Sequence, residues 1–339
     1  MSMITEYAYL NARVSALAPR LISNEKFKEL LQQPLGQLHL DSSHLDEIIN
    51  DPHLDLARIE QLWFNHLINE FSVLIRPLVG KAREFLLYWL HRAEISNLKV
   101  IVRGKLTGLS AESISKQMNS LGNLASLPFE QLIRAEDVNE LLRQLDNTPY
   151  ITLARQARRA FEQQQQLYAL DAAIDRYYLQ GLTRQMEALP AMQREYLLPL
   201  LVLLLNKFNL LWLLRYRFTY NLSAAETYYL LIPSNYGISR HQLQNLAELS
   251  NLADAISQLP ESIQLLIGDA STIFEIEQQL NRAIEHCTAM ILRRQNFTLA
   301  KAFAYILLRE LEMRRVLAII KGKQLQLPPE MILQTMDFA

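Results

Sequence analysis

Glycine is scarce in this chain, nine residues of 339, well below the roughly 7% of average proteins. That shortage argues against folds that depend on Gly-rich turns, meaning dinucleotide crevices, phosphate loops and tight-turned β-sandwiches. A single cysteine, Cys287, cannot close an internal disulfide and fits a reducing compartment. Neither charge sign dominates, with 34 Lys and Arg against 35 Asp and Glu and a formal charge of −1. No global field therefore draws a phosphate backbone, and Lys and Arg form no long stripe with interleaved aromatics, so no nucleic-acid partner is expected. A nucleophile elbow, a phosphate loop, a zincin motif and a paired-Cys motif are all missing, and no cofactor or small-molecule substrate is expected. The first 30 residues carry Glu6, Arg13, Arg20, Glu25 and Lys26 without an uninterrupted apolar run, so no signal peptide is expected.

What is abundant is apolar residues at helical spacing. Trp63, Leu67, Phe71, Leu74 and Leu78 recur at steps of three or four, as do Ile273, Ile276, Leu280, Ile284, Cys287 and Ile291. Prolines at 34, 52, 128, 149, 233, 260, 328 and 329 punctuate such segments, and period-2 runs are absent. The fold class is therefore all-α. One stretch, Leu197 to Leu214, imitates a membrane span, but Pro199, Asn206, Lys207 and Asn209 interrupt it. A helix buried in protein is the expectation.

Self-comparison adds a longer period. The segments Glu94 to Lys105, Asn206 to Arg217 and Glu312 to Lys323 align at offsets of 112 and 106. Glu94, Ile101, Gly104 and Lys105 match Glu312, Ile319, Gly322 and Lys323. Two columns are basic throughout: Arg103, Arg215 and Lys321, then Lys105, Arg217 and Lys323. A second helix repeats at Ile59-Glu60, Leu170-Asp171 and Ile276-Glu277, and a third, shorter one near Phe27, Val138 and Leu252. A period near 110 is too long for ankyrin or tetratricopeptide units and describes a small helical domain with its own core. The expectation is an internal triplication into residues 1–117, 118–230 and 231–339, stacked as an array or closed about a pseudo-threefold axis. The repeat also weighs against a membrane span, because the equivalent helices carry His91, Arg92 and Glu94, or Arg309, Glu310, Glu312 and Arg314.

Other constellations read as structure. His39, Asp41, His44, Asp46, His53 and Asp55 match no standard ligand spacing, and a solvated polar loop is expected rather than a metal site. Asp171 and Asp175 lie one turn apart on a helix with Tyr177 and Tyr178, the way a diphosphate-handling enzyme arranges its Mg²⁺ ligands, but a second acidic motif is missing. Asp171 aligns with Glu60 and Glu277 and reads as a recurring surface acid. Gln163 to Gln166 extends an exposed helix.

The chain resembles the C subunit of the archaeal and bacterial V/A-type rotary ATPases, the counterpart of the d subunit of the eukaryotic V-ATPase. The resemblance runs over essentially the whole chain. It rests on Tyr9-Leu10-Asn11-Ala12-Arg13-Val14, Leu21-Ile22-Ser23, Phe27-Lys28-Glu29-Leu30-Leu31 and the repeated helix ending in Arg103-Gly104-Lys105 and Lys321-Gly322-Lys323. Tyr216 stands where that pattern has Gly, which leaves open where the helix ends in the second copy. The resemblance implies three similar helical domains forming a funnel on the cytoplasmic face of a membrane proteolipid ring. It also implies a rotor socket that receives the central axle and passes torque, with no active site, metal or cofactor of its own. A monomer in isolation and one copy per complex follow on the same ground.

Within that picture Arg103, Lys105, Arg215, Arg217, Lys321 and Lys323 are the candidate partner contacts, set to meet acidic groups on axle or ring. The alternative is ordinary capping, with the basic residues offsetting the helix dipole and Gly104 and Gly322 standing just past the helix end. Two other functional classes stay open: an all-α cytosolic scaffold or adaptor, and an all-α enzyme with a carboxylate-lined cavity of several hundred Å³.

Overall fold

The computed structural model describes residues 3–40, 42–53, 55–122, 125–164 and 167–336. Among the described residues every regular element is a helix, as expected. In chain order the α-helices are α1 (Met3–Leu17), α2 (Asn24–Gln32), α3 (Ser43–Asn50), α4 (Leu56–Ile75), α5 (Gly80–Leu106) and α6 (Ala111–Lys116). They continue with α7 (Phe129–Ile133), α8 (Val138–Gln144), α9 (Ile151–Gln164), α10 (Leu167–Glu187), α11 (Ala191–Leu214) and α12 (Ala224–Leu230). The last six are α13 (Arg240–Glu248), α14 (Leu252–Ser257), α15 (Glu261–Ile267), α16 (Ile273–Arg294), α17 (Leu299–Gln324) and α18 (Pro329–Thr335). Starts follow capping chemistry: the side chains of Asp55, Asp137, Ser223, Ser239, Asn251 and Thr298 each accept the N–H three residues on.

The chain divides into two compact units. The first comprises Met1–Arg83, Pro190–Leu197 and Asn281–Ala339. In it α17 packs on α4, α1 and α2. The apolar stripe of α4 is buried throughout, from Trp63 to Leu74, with Leu78 just beyond the helix end. Each fully buried side chain of this kind contributes about 1.5–3 kcal/mol. Charge is buried here as well. Arg309 pairs with Glu70 at 3.3 Å and with Glu312, and Tyr305 donates its hydroxyl to Glu70. Arg315 forms a two-pronged pair with Glu285 at 2.8 and 2.7 Å and donates to the Met336 carbonyl at 3.0 Å.

The second unit comprises Glu84–Leu189 and Leu198–Leu280. Here α9 packs along α10, and α12 along α13. Tyr88 of α5 and Tyr178 of α10 stack with ring centres 5.4 Å apart. Their hydroxyls cross over, Tyr88 donating to the Tyr178 carbonyl and Tyr178 to the Trp89 carbonyl, both at 3.1 Å. Gly181 makes this possible, since a Cβ there would sit 1.7 Å from the Tyr88 hydroxyl. The apolar stretch found in the sequence lies in α11, which with its last turn is long and apolar enough to cross a membrane, at mean hydropathy 2.0. Yet 61% of that window is buried inside the protein. Leu210, Leu211, Leu213 and Leu214 pack with Leu243, Leu246, Ile263, Ile276 and Leu280 of the same unit.

Candidate functional site

Every residue of the candidate site closes one of the three long helices, so the geometry is built from those ends. At α5, Gly104 is a helical residue and not a left-handed cap. A Cβ on it would lie 2.4 Å from Cγ1 of the fully buried Ile114, which α6 lays against the bare backbone. The left-handed residue is Gly108, at φ +69°, and the Leu109 N–H returns to the Gly104 carbonyl at 2.8 Å. The end of α17 has the same plan. Gly322 would place a Cβ 2.5 Å from Ile332 of α18, Gln326 has φ +54°, and the Leu327 N–H reaches the Gly322 carbonyl at 2.9 Å. The reading of both glycines as helix caps is therefore corrected: what matters is the absent side chain, not the freedom at positive φ.

At α11 the plan changes. Tyr216 brings a side chain to that place, and the helix widens into a π turn over Arg215–Thr219. The left-handed residue, Asn221 at φ +56°, comes one position later, and the closing bond runs from Leu222 N–H to the Tyr216 carbonyl at 2.9 Å. Tyr216 packs with Ala172 and Leu230 and lies 6.3 Å from the Tyr168 ring. The short helix that follows, α12, buries Thr227 and is fastened by a capping box between Ser223 and Glu226.

Four of the six basic residues are engaged within the protein. Arg103 pairs with Asp171, and Arg215 with Glu277, in contacts where both arginines remain about half exposed. Lys99 pairs with Asp175 at 2.7 Å beside the first of these. Burial pushes the Asp175 carboxyl up, while Lys99 pulls it down. Asp171 and Asp175 thus each have a cation of α5 as counter-charge. Arg217 donates to the carbonyls of Ala247 and Leu249, at the C-terminus of α13, and to that of Leu222. Lys323 does the same for α2, donating to Leu31 and Gln33 at 2.7 and 2.5 Å, and burial holds its pKa down. These are dipole-offsetting contacts made to another helix, a variant of capping that sequence spacing does not show. Lys105 is half-buried and Lys321 exposed.

A row of buried acceptors about two turns or more earlier carries as much of the geometry. Glu94, 1% exposed, accepts from Ser126 N–H and hydroxyl, from Leu127 N–H at 3.3 Å and from the Tyr150 hydroxyl. Burial and that carboxylate push the Tyr150 phenol up. Asn206 accepts from Ile238 N–H at 2.8 Å, and Glu312 accepts from Ile22 N–H. Burial raises the Glu312 carboxyl to about 7 against the pull of Arg309 and the Ile22 amide. Three residues on, Asn97 both accepts from and donates to the backbone of Asn119, at 2.8 Å each way. Asn209 does so with Ile232 at 2.8 and 3.2 Å. The identities of Glu94 with Glu312 and of Asn97 with Asn209 were the available signal for this row.

The His/Asp segment is not the polar loop expected: it contains α3, which carries His44 and Asp46, and its side chains serve the local backbone. Asp46 accepts from Leu40 N–H and contacts His39 at 2.7 Å, Asp51 accepts from His53 N–H, and Asp55 caps α4. Asp41 and Gln165 to Gln166 lie outside the described residues. Among the described residues no three His, Cys, Asp or Glu side chains are grouped as metal ligands.

Fold and site together describe an all-helical chain whose helix-end polar groups are largely engaged in holding neighbouring helices. The chain belongs to the ATP synthase (C/AC39) subunit family, whose family model matches residues 10–335. It is 24% identical over 344 residues to the C subunit of the A-type ATP synthase of Methanocaldococcus jannaschii, covering 97% of this chain and 86% of that one. The same subunit from Methanothermobacter thermautotrophicus is 24% identical over 349 residues, with 97% and 87% covered. That of Halobacterium salinarum strain R1 is 21% identical over 336 residues, with 94% of each covered.

Proposed function

We propose that this chain is a non-catalytic central-stalk subunit of a V/A-type ATPase or synthase, a socket joining the axle to the membrane proteolipid ring on its cytoplasmic face. It passes torque in either direction, and the transported ion is chosen in the ring. It consists of three related helical domains, residues 1–117, 118–230 and 231–339, set about a common axis as a funnel.

The observation that carries this reading is a contact made at all three long helices. Glu94, Asn206 and Glu312 occupy one column of the repeated segment. Each accepts an N–H just ahead of a short helix: α7 for Glu94, α13 for Asn206 and α2 for Glu312. Each long helix thereby holds the opening of another domain, in the order one to two, two to three, three to one. Arg217 and Lys323 extend the scheme to the far ends of α13 and α2. Asp171 and Glu277, aligned in the repeat, receive Arg103 and Arg215. A rotor part needs little internal give, and domains tied by buried, hydrogen-bonded charge resist shear.

Partner contact then falls first to Lys105 and Lys321, and next to the exposed sides of Arg103 and Arg215. Exposed apolar residues stand at or beyond the end of each long helix, Leu106 and Leu109, Tyr220, and Leu325 and Met331, and supply the rest of a docking surface.

Purification from membranes provides the test. The chain should travel with an ATPase head and a proteolipid ring. Membranes lacking it should keep ATP hydrolysis and lose ATP-driven ion transport. Coupled transport without the chain, or a chain that leaves the membrane with no ATPase partner, would reject the proposal. Lys105→Glu combined with Lys321→Glu should weaken assembly; unchanged coupling in that variant would remove those two lysines from the contact.

A further inference from the structure

The second unit carries a groove that nothing in the rotor scheme uses. Its centre is a cavity of about 570 Å³ between α10, α12 and α13. The buried Leu231, Ile232 and Leu243 contribute to its floor, and Tyr228 and Tyr229 to its wall. Two smaller hollows adjoin it. One of about 220 Å³ shares Arg176 and Tyr229 and reaches Arg159; the other, of about 290 Å³, shares Pro233 and Arg240 and reaches Arg184. Together they make a trough, apolar at its centre and polar at the Arg184 end, bordered by four arginines against two acids, Glu187 and Glu248.

Arg176 is built into the wall. Its Nη1 donates to the Tyr229 carbonyl at 2.6 Å, and the guanidinium lies 5.5 Å from the centre of the Tyr229 ring. Tyr229 lines the trough and is 55% exposed. The Arg176 Nε–H is buried with no acceptor among the described residues. Arg159, Arg184 and Arg240 are exposed. Exposed tyrosine beside arginine, over an apolar floor, is the composition of an interface centre. An excess of two positive charges fixes the sign of what it suits.

We propose that this trough docks an acidic peptide segment of a partner protein, its apolar side chains on Leu231, Ile232 and Leu243 and its carboxylates on Arg176 and Arg240. The inference does not depend on the rotor reading, because the trough uses none of the helix-end residues.

The test is site-specific photocrosslinking in cells that make the full chain. Gln244, an exposed residue of the trough, is replaced by p-benzoylphenylalanine, and the crosslinked peptide is identified by mass spectrometry. A segment rich in Asp and Glu with interspersed apolar residues is expected. Its yield should fall at least tenfold at about 1 M salt, where the Debye length shrinks to about 3 Å. Arg240→Glu should lower the yield similarly, and Arg240→Lys should restore most of it; both variants should melt with the parent. A crosslink to a neutral or basic segment, to lipid, to a second copy of this chain, or to nothing overturns the proposal. So does a yield that neither salt nor Arg240→Glu changes.

Discussion

At the end of α5 a missing side chain lets Ile114 lie against the helix backbone, whereas at the end of α11 a tyrosine stands there and the helix gains one residue to accommodate it. The short helices that follow match this difference. Where the long helix has Gly, the short one lays Ile114 or Ile332 on its backbone; where it has Tyr216, the ring packs with Ala172 and with Leu230 of α12. At the two glycine ends the junction is therefore specified by two positions about ten residues apart, and neither is interpretable alone.

The largest effect should come from undoing the tyrosine. Tyr216→Gly removes a buried ring and places Gly inside a helix, which should cost about 4 kcal/mol in chemical unfolding. A loss under about 1.5 kcal/mol would mean that the π turn, not the ring, holds this end. Next come the acceptors. Glu94→Leu abandons several donors and should cost about 3 kcal/mol or more, against about 1–2 for Asn206→Leu, which abandons one. Equal costs would erase the distinction between these two helices.

Gly104→Ala should cost about 1–3 kcal/mol by overpacking against Ile114. The cost of the Gly104→Ala, Ile114→Ala double variant should fall short of the sum of the two single costs by at least about 1 kcal/mol, since the added methyl fills space that the shortened side chain vacates. Strict additivity would deny that the two residues meet. A titration sharpens the comparison of Glu312 with the uncharged Asn206. Because burial lifts the Glu312 pKa to about 7, above the ordinary carboxylate value near 4.3, the folded state binds the extra proton between those limits. Stability should then fall as pH rises from about 4.3 to about 7, with a slope of at most about 1.4 kcal/mol per pH unit. Glu312→Gln should flatten that slope, and an unchanged slope would assign it to other groups. Smallest of all, Arg103→Gln should cost under about 1 kcal/mol, since its ion pair is half exposed. Arg217→Gln, which strips three carbonyls, should cost more.

The helices were legible from sequence because apolar spacing reports burial directly, and the starts of α8 and α14 at Val138 and Leu252 follow from their Asp137 and Asn251 caps. The roles at the helix ends were not. A glycine that permits positive φ and a glycine that permits close approach look alike in sequence, and only Ile114, ten residues away, separates the two at Gly104. Likewise the acceptors of Arg217 and Lys323 are backbone carbonyls, which every residue has and no residue type announces. The apolar run in α11 was ambiguous for a related reason: lipid and a surrounding shell of leucines favour the same composition, and the arbiters were the polar interruptions at Asn206, Lys207 and Asn209 and the charges on the related helices.

The crossed tyrosines have a mechanical corollary. Each hydroxyl is anchored to a main-chain oxygen on the opposite helix, so α5 and α10 are pegged at two points and cannot slip along one another by a residue without withdrawing both pegs. Under a twisting load this seam would behave as a keyed joint, and elastic yielding would have to occur away from it.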